Sequence, residues 1–243
     1  MKTPAYWGIS GFPISHSLTP RLFEIVGNAL EIDEVRPVFL EANNSEEFKR
    51  NIEELNGDLW ISITSPLKHI IGELLGISDE GEINSINQLM RTNGVWNGIN
   101  TDGYGFVEAA KYIGINPSKS ILKIRGGGST ARSIVAAWSE SGGEIIPVNG
   151  RRKLVSGPWD ISIIENGEAD ISVDLDVNPG GEESQTIKEK MDVSISYNEY
   201  SKIDDFAVIM LASQHLEAWK RFFLYENIEK LPNLSYILEK LSD

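Results

Sequence analysis

The stretch Ile121-Leu-Lys-Ile-Arg125-Gly-Gly-Gly-Ser-Thr130-Ala-Arg-Ser-Ile-Val135-Ala-Ala-Trp-Ser-Glu140, followed by Glu144-Ile-Ile-Pro-Val148, decides the fold. Ile121 to Ile124 reads as a short apolar strand and Gly126 to Thr130 as a glycine-rich turn. Ala131 to Ser141 reads as a helix, and Glu144 to Val148 as a second strand ending at Asn149. Strand, tight turn, helix and strand make a βαβ unit of a parallel sheet. The free amides and the dipole at the start of the helix favour a pyrophosphate above Gly126, Gly127, Gly128, Ser129 and Thr130. A Gly-x-Gly turn is a weak signal by itself, and a plain strand-turn-helix connection is the alternative.

The residues after the second strand bear on which dinucleotide fits. Domains that prefer NAD place a carboxylate ~20 residues beyond the glycine turn, where it holds the ribose hydroxyls. Here that stretch is Val148-Asn149-Gly-Arg151-Arg152-Lys153, with no carboxylate and three cations, as a 2′-phosphate requires. NADP is therefore expected over NAD, with Asn149, Arg151 and Arg152 as cofactor-binding residues and Arg151 or Arg152 at the ribose phosphate. The alternative is a solvated basic cluster.

Upstream, strand-like runs alternate with helical ones. Tyr6–Ser10, Val35–Leu40, Leu59–Ile63 and Gly94–Ile99 read as strands, and Pro20–Leu30, Ser45–Leu55 and Tyr104–Tyr112 as helices. A capping pattern at Asn44-Ser-Glu-Glu47 opens the second helix. An apolar helix to Leu75 and a loop follow Lys68, and Leu211–Leu224 reads as a long helix near the end. Two charged residues stand out at strand ends: Lys68 in Ser62-Ile-Thr-Ser-Pro-Leu-Lys68, and Asp102 in Asn97-Gly-Ile-Asn-Thr-Asp102-Gly. A carboxylate that holds an ammonium beside a carbonyl or alcohol makes a proton-transfer pair. With the glycine turn, the pair suggests a nicotinamide-dependent oxidoreductase. Taken singly, Lys68 also reads as a surface lysine at a helix start and Asp102 as a cap.

Composition removes several classes. With 36 acidic and 22 basic residues the net charge is −14, which repels a phosphate backbone, so neither nucleic acid nor an anionic membrane is an expected partner. There is no cysteine, which excludes disulfides and thiolate chemistry. His16, His69 and His215 are too scattered for a metal site, and none is assigned a role in catalysis. Trp7, Trp60, Trp96, Trp138 and Trp219 fall on faces expected to be buried, whereas the surroundings of Trp159 have no readable period. No signal-peptide core or membrane-length run is present, so a cytoplasmic location is expected. A chain of 243 residues favours two domains.

Six motifs, in order, carry a family resemblance. Gly11-Phe-Pro-Ile-Ser-His-Ser-Leu-Thr-Pro20, Ser62 to Lys68, Ile86-Asn87, Gly98-Ile-Asn-Thr-Asp102-Gly-Tyr-Gly105, Gly126 to Arg132 and Met210-Leu-Ala-Ser-Gln214 resemble the ordered motifs of the shikimate dehydrogenase family. The resemblance implies a reversible NADPH-dependent reduction of 3-dehydroshikimate to shikimate, with Lys68 and Asp102 as the catalytic pair. It implies Ser17 and Thr19 at the substrate carboxylate, with Tyr197 near them, and Thr64, Asn87 and Gln214 on the ring hydroxyls. It also implies an α/β fold in which residues 1–102 with 214–243 form the substrate domain and 103–213 an NADP-binding Rossmann-like domain. A monomer or homodimer is expected.

Departures gather in the second half. Ser129 and Thr130 replace a glycine and an alanine, and Arg125 stands where relatives carry an apolar residue, although a cation there could also serve a phosphate. Leu154 to Gly167, with Gly157 and Pro158, lacks a helical period, so the second half of the nucleotide domain reads as shortened. Asp174-Leu-Asp176 puts carboxylates where neutral, cofactor-facing groups are expected. On this ground a binding protein for a shikimate-like acid with impaired or lost cofactor binding stays open as an alternative; a dehydrogenase of quinate or another cyclic hydroxy acid stays open separately, because the sequence does not place a ring substituent.

Overall fold

A computed structural model of the protein describes residues 3–77, 83–176, 190–198, 200–223 and 228–242. The chain divides into two compact units, Met1–Thr101 with His215–Asp243, and Asp102–Gln214.

In the first unit the elements run β1 (Tyr6–Gly11), α1 (Thr19–Ala29), β2 (Arg36–Glu41), α2 (Ser45–Glu53), β3 (Leu59–Ile63), α3 (Ile71–Leu75), β4 (Gln88–Thr92) and β5 (Val95–Ile99). They build one sheet in the order β2-β1-β3-β4-β5. β1 pairs in parallel with β2 and β3, while β3–β4 and β4–β5 are antiparallel. All five residues of β3 are buried, as a central strand covered on both faces demands. Its side chains alternate. Leu59, Ile61 and Ile63 join Phe48, Ile52, Leu67, Ile71 and Leu89 in one apolar cluster. Trp60 points the other way, edge-on to Phe23 at 4.9 Å and to Trp219 at 4.7 Å, with Trp7 stacked on Phe23 at 5.5 Å. The Asn44 side chain accepts from the backbone N–H groups of Glu46 and Glu47 at 3.1 and 2.9 Å, capping α2.

The sequence reading has a loop where β4 lies, and the sheet is correspondingly less parallel than expected. Gln88 occupies a buried position where period-2 alternation calls for an apolar side chain, so β4 does not read as a strand. Asn93 and Gly94, with φ of 50° and 80°, form the tight turn that pairs it with β5. Trp96 is only half-buried, its ring covered by the Arg91 guanidinium at 5.2 Å, and so is not the core residue expected.

The second unit contains α4 (Asp102–Tyr112), β6 (Ile121–Arg125), α5 (Ser129–Glu140), β7 (Glu144–Val148), β8 (Ile171–Asp174) and the two-residue β9 (Asp192–Val193). The sheet order β7-β6-β8-β9 is parallel throughout. Between β7 and β8 the chain makes only a 3-10 turn, Pro158–Ser162, held by Trp159, which is fully buried and donates from Nε1 to the Val155 carbonyl at 3.1 Å. The fold is thus mixed α/β, a five-stranded α/β unit and a Rossmann-type unit with a shortened second crossover.

Helix α6 (Phe206–Phe222) starts five residues before Leu211, where the sequence reading begins it, and the boundary between the units falls inside it after Gln214. Leu224, the expected end of that helix, lies outside the described residues. The last element, α7 (Leu234–Ser242), packs on α1 in the first unit. Among the described residues no helix is long and apolar enough to cross a membrane.

Candidate active site

In the first unit four of the motif segments meet at one edge of the sheet. β1 and β3 are parallel neighbours, so the loops that follow them, 12–18 and 64–70, leave from the same side. They are stitched together by the Thr64 N–H on the Ser10 carbonyl at 2.9 Å and the Phe12 N–H on the Ser65 carbonyl at 2.9 Å. β4 begins and β5 ends at that side, with the Asn87 N–H on the Ile99 carbonyl at 3.1 Å and the Ile63 N–H on the Asn87 carbonyl at 2.8 Å. A parallel sheet continued by an antiparallel hairpin therefore gathers Ser17, Thr19, Thr64, Lys68, Asn87 and Thr101 from segments far apart in sequence.

Each group is held by local bonds. The Ser17 hydroxyl accepts from the Thr19 N–H at 3.2 Å, and Thr19 opens α1 almost fully buried. Lys68 lies half-buried in a 3-10 turn, Leu67–His69, and its carbonyl accepts from the Ile86 N–H at 2.9 Å. Asn87 accepts at Oδ1 from the Thr101 N–H at 2.8 Å and donates from Nδ2 to Thr101 Oγ1 at 3.1 Å, and so fixes the residue before Asp102. Asn100 donates from Nδ2 to the Ser85 carbonyl and to Ser85 Oγ, at 3.2 Å each. Asp102 is the first residue of α4 and is 2% exposed. A carboxylate in a first helical turn is favoured by the helix dipole.

Beneath this edge lies a polar network that the sequence reading missed. Trp60 Nε1 and Ser62 Oγ both donate to Gln88 Oε1, at 2.9 and 3.1 Å, and His215 Nε2 lies 3.3 Å from Ser62 Oγ. With the hydroxyl hydrogen of Ser62 turned to Gln88, Nε2 carries the ring proton. Complete burial pushes the His215 pKa down to about 3, so the imidazole is neutral. Its Nδ1 has no partner among the described residues. The network was hidden because Gln88 sits in the unread strand β4, although Asn93-Gly94 was a hairpin signal that could have found it.

The second unit carries the glycine turn. Gly126 has φ of 108°, and Gly128 stands at the N-cap of α5 with no side-chain cap and open space beside its Cα. Ser129 and Thr130 belong to the first turn of α5, which begins two residues before the expected Ala131. Arg125 is paired with a carboxylate: Nη1 donates to Asp174 Oδ2 at 2.7 Å, with the two side chains only 10% and 14% exposed. Asn149 and Arg152 are exposed after β7, whereas Arg151 is bonded to Asp176 through its backbone N–H at 2.5 Å and its Nε at 3.0 Å. Tyr197 is half-buried after β9, and Gln214 is half-buried on α6. Asp102, Tyr197, Gln214 and every expected cofactor residue thus belong to the second unit, and the other expected substrate residues with Lys68 to the first. The α5 terminus without a side-chain cap and the open space at Gly128 leave room for a dinucleotide, and the Arg151 guanidinium expected at a 2′-phosphate is paired with the Asp176 carboxylate.

A shikimate dehydrogenase (NADP(+)) from Gloeothece citriformis is 32% identical over 150 residues, 60% of this chain and 51% of that protein. Another from Alkaliphilus metalliredigens is 31% identical over 147 residues, 59% and 51% of the two. No family model matches. In these alignments the chain spans about half the length of the curated relatives it matches. Shikimate dehydrogenase from Aquifex aeolicus superposes with a TM-score of 0.70 at 22% identity, covering 100% of this chain and 99% of that one. The chain has the shikimate dehydrogenase fold. The same fold is seen, with a TM-score of 0.72, 20% identity and 98% of each chain covered, in shikimate 5-dehydrogenase from Thermus thermophilus solved with NADP(H) and shikimate. The structural match covers both units.

Proposed function

We propose that the chain is a shikimate dehydrogenase, catalysing the reversible NADPH-dependent reduction of 3-dehydroshikimate to shikimate, with Lys68 and Asp102 as the catalytic pair. The observation that carries this reading is the convergence of four polar motif segments on one sheet edge, ending at Thr101, whose position Asn87 holds and from which the chain passes directly into Asp102. The relatives named above, and the neighbour solved with both ligands, support the same chemistry.

When bound, NADPH supplies the hydride. As the substrate carbonyl carbon takes it up, negative charge grows on the oxygen, and Lys68 stabilises that charge and delivers a proton from Nζ. Asp102 orients Lys68 and accepts from a substrate hydroxyl. The hydroxyls of Ser17 and Thr19 bind the substrate carboxylate with Tyr197 beside them, and Thr64, Asn87 and Gln214 bind ring hydroxyls. These neutral groups suit a polyhydroxylated acid because each hydroxyl withdrawn from water needs a paired donor or acceptor. Residues 1–102 with 214–243 form the substrate domain, and 103–213 the nucleotide domain, where the amides at the start of α5 hold the pyrophosphate.

The test is shikimate-dependent reduction of NADP followed by nicotinamide absorbance, with NAD alongside. Lys68→Ala is expected to abolish turnover while leaving shikimate binding, measured by calorimetry, largely in place. A variant with near wild-type rate removes Lys68 from the mechanism, and a wild-type chain that binds shikimate but reduces neither dinucleotide overturns the enzyme reading.

A further inference from the structure

Asp176, which follows β8, is bonded to Arg151, which follows β7. In the order β7-β6-β8 the two outer strands flank β6, so a bond between the residues following β7 and β8 passes over the end of β6, where the glycine turn begins. Asp176 and Arg151 make that bond. Gly127 lies against the segment that follows β7: a Cβ there would fall 2.0 Å from the Lys153 carbonyl oxygen.

The carboxylate is built in rather than loosely placed. A Cβ on residue 150 would stand 2.7 Å from Asp176 Oδ2, so the glycine lets the acid close on the Arg151 backbone. The Asp176 N–H donates to Asp174 Oδ1 at 2.9 Å, and Asp174 is itself paired with Arg125. The Asp176 side chain is 15% exposed against 64% for Arg151, so the acid is the fixed partner and the guanidinium the outer one. The bond from the Arg151 N–H, and then its guanidinium, hold the Asp176 carboxyl below the usual carboxylate range.

We infer that Asp176 sets the cofactor preference of this chain, its carboxylate competing with the 2′-phosphate of NADP for Arg151. The inference rests on the proposed dehydrogenase function. A 2′-phosphate at Arg151 must displace a carboxylate or share the guanidinium with it at the cost of like-charge repulsion. NAD, lacking that phosphate, meets no such competition. Preference for NADP is therefore weaker than the basic run 151–153 suggests, and residue 176 controls it.

The experiment is calorimetric binding of NADP and NAD to the intact wild-type chain, Asp176→Asn and Asp176→Ala, at one ionic strength, with circular dichroism to show that each variant is folded. Removing the charge is expected to tighten NADP by roughly ten-fold or more, on the scale of a charge-assisted hydrogen bond, and to leave NAD within about two-fold. Adding Arg151→Ala to Asp176→Asn is expected to cancel the gain. If both dinucleotides bind and their affinity ratio is the same in wild type and both single variants, the inference is overturned while the dehydrogenase reading stands. Binding of neither dinucleotide to any of the folded proteins overturns both.

Discussion

His215 offers a direct test of the buried network, because its protonation is tied to unfolding. In the folded protein its pKa is lowered from 6.5 to about 3 by burial, with Ser62 at Nε2 and the Phe23 ring nearly perpendicular to it, centroids 5.0 Å apart, as its neighbours. Between those two values the unfolded chain binds a proton at this residue and the folded chain does not. Stability from this group is thus complete above pH 6.5 and falls as the pH drops toward 3. The slope is about 1.4 kcal/mol per pH unit, so lowering the pH from 7.5 to 5 removes roughly 2 kcal/mol through His215 alone. The assay is urea unfolding followed by tryptophan fluorescence at pH 7.5, 6 and 5 for wild type and His215→Gln. Whatever the substitution costs at pH 7.5, the variant is expected to lose about 2 kcal/mol less than wild type on going to pH 5. Parallel pH dependences for the two proteins would refute the account, since the imidazole would then titrate alike folded and unfolded.

Two further substitutions probe elements that position the site. In Gly103→Ala the added Cβ would lie 1.9 Å from the Ser133 carbonyl oxygen and would part α4 from α5, straining the bond from the Gly103 N–H to Ser133 Oγ at 2.7 Å. A loss of about 1–3 kcal/mol or more is expected in urea unfolding, with reduced turnover because Asp102 is the preceding residue; an unchanged midpoint would show that the helices are not in this close contact. Asn44→Ala removes the acceptor for two N–H groups of α2 and is expected to cost ~1 kcal/mol with no change in turnover, read from thermal unfolding and initial rates. Stability equal to wild type would mean that water serves those amides as well as the side chain does.

The expected elements whose signals are local lie close to where the reading puts them. Asn44 marks the start of α2, the apolar run Leu59–Ile63 is a fully buried strand, and the glycine turn between β6 and α5 follows from Gly126 to Gly128. Gly157 and Pro158 foretell the loss of a crossover helix, because neither residue continues one. Strand β4 escaped because its inward Gln88 is polar, satisfied by Trp60 and Ser62 from another strand. No reading of neighbouring residues supplies partners that come from 26 and 28 positions away.

The sequence by itself determined the α/β class, the motif order and the residue types available for chemistry, because periodicity, caps and turn residues act over a few positions. Only the tertiary structure decided which charges meet. Arg151 reads as a phosphate ligand and Arg125 as a departure from the pattern that could also serve one, yet parallel strands bring Asp176 and Asp174 from some twenty-five and fifty residues away to pair with them. His215, unremarkable in the sequence, becomes a neutral buried group once α6 packs against Phe23 and Ser62. The reason is common to both cases: the state of a charge depends on its neighbours in space and its distance from water, and those are products of the fold.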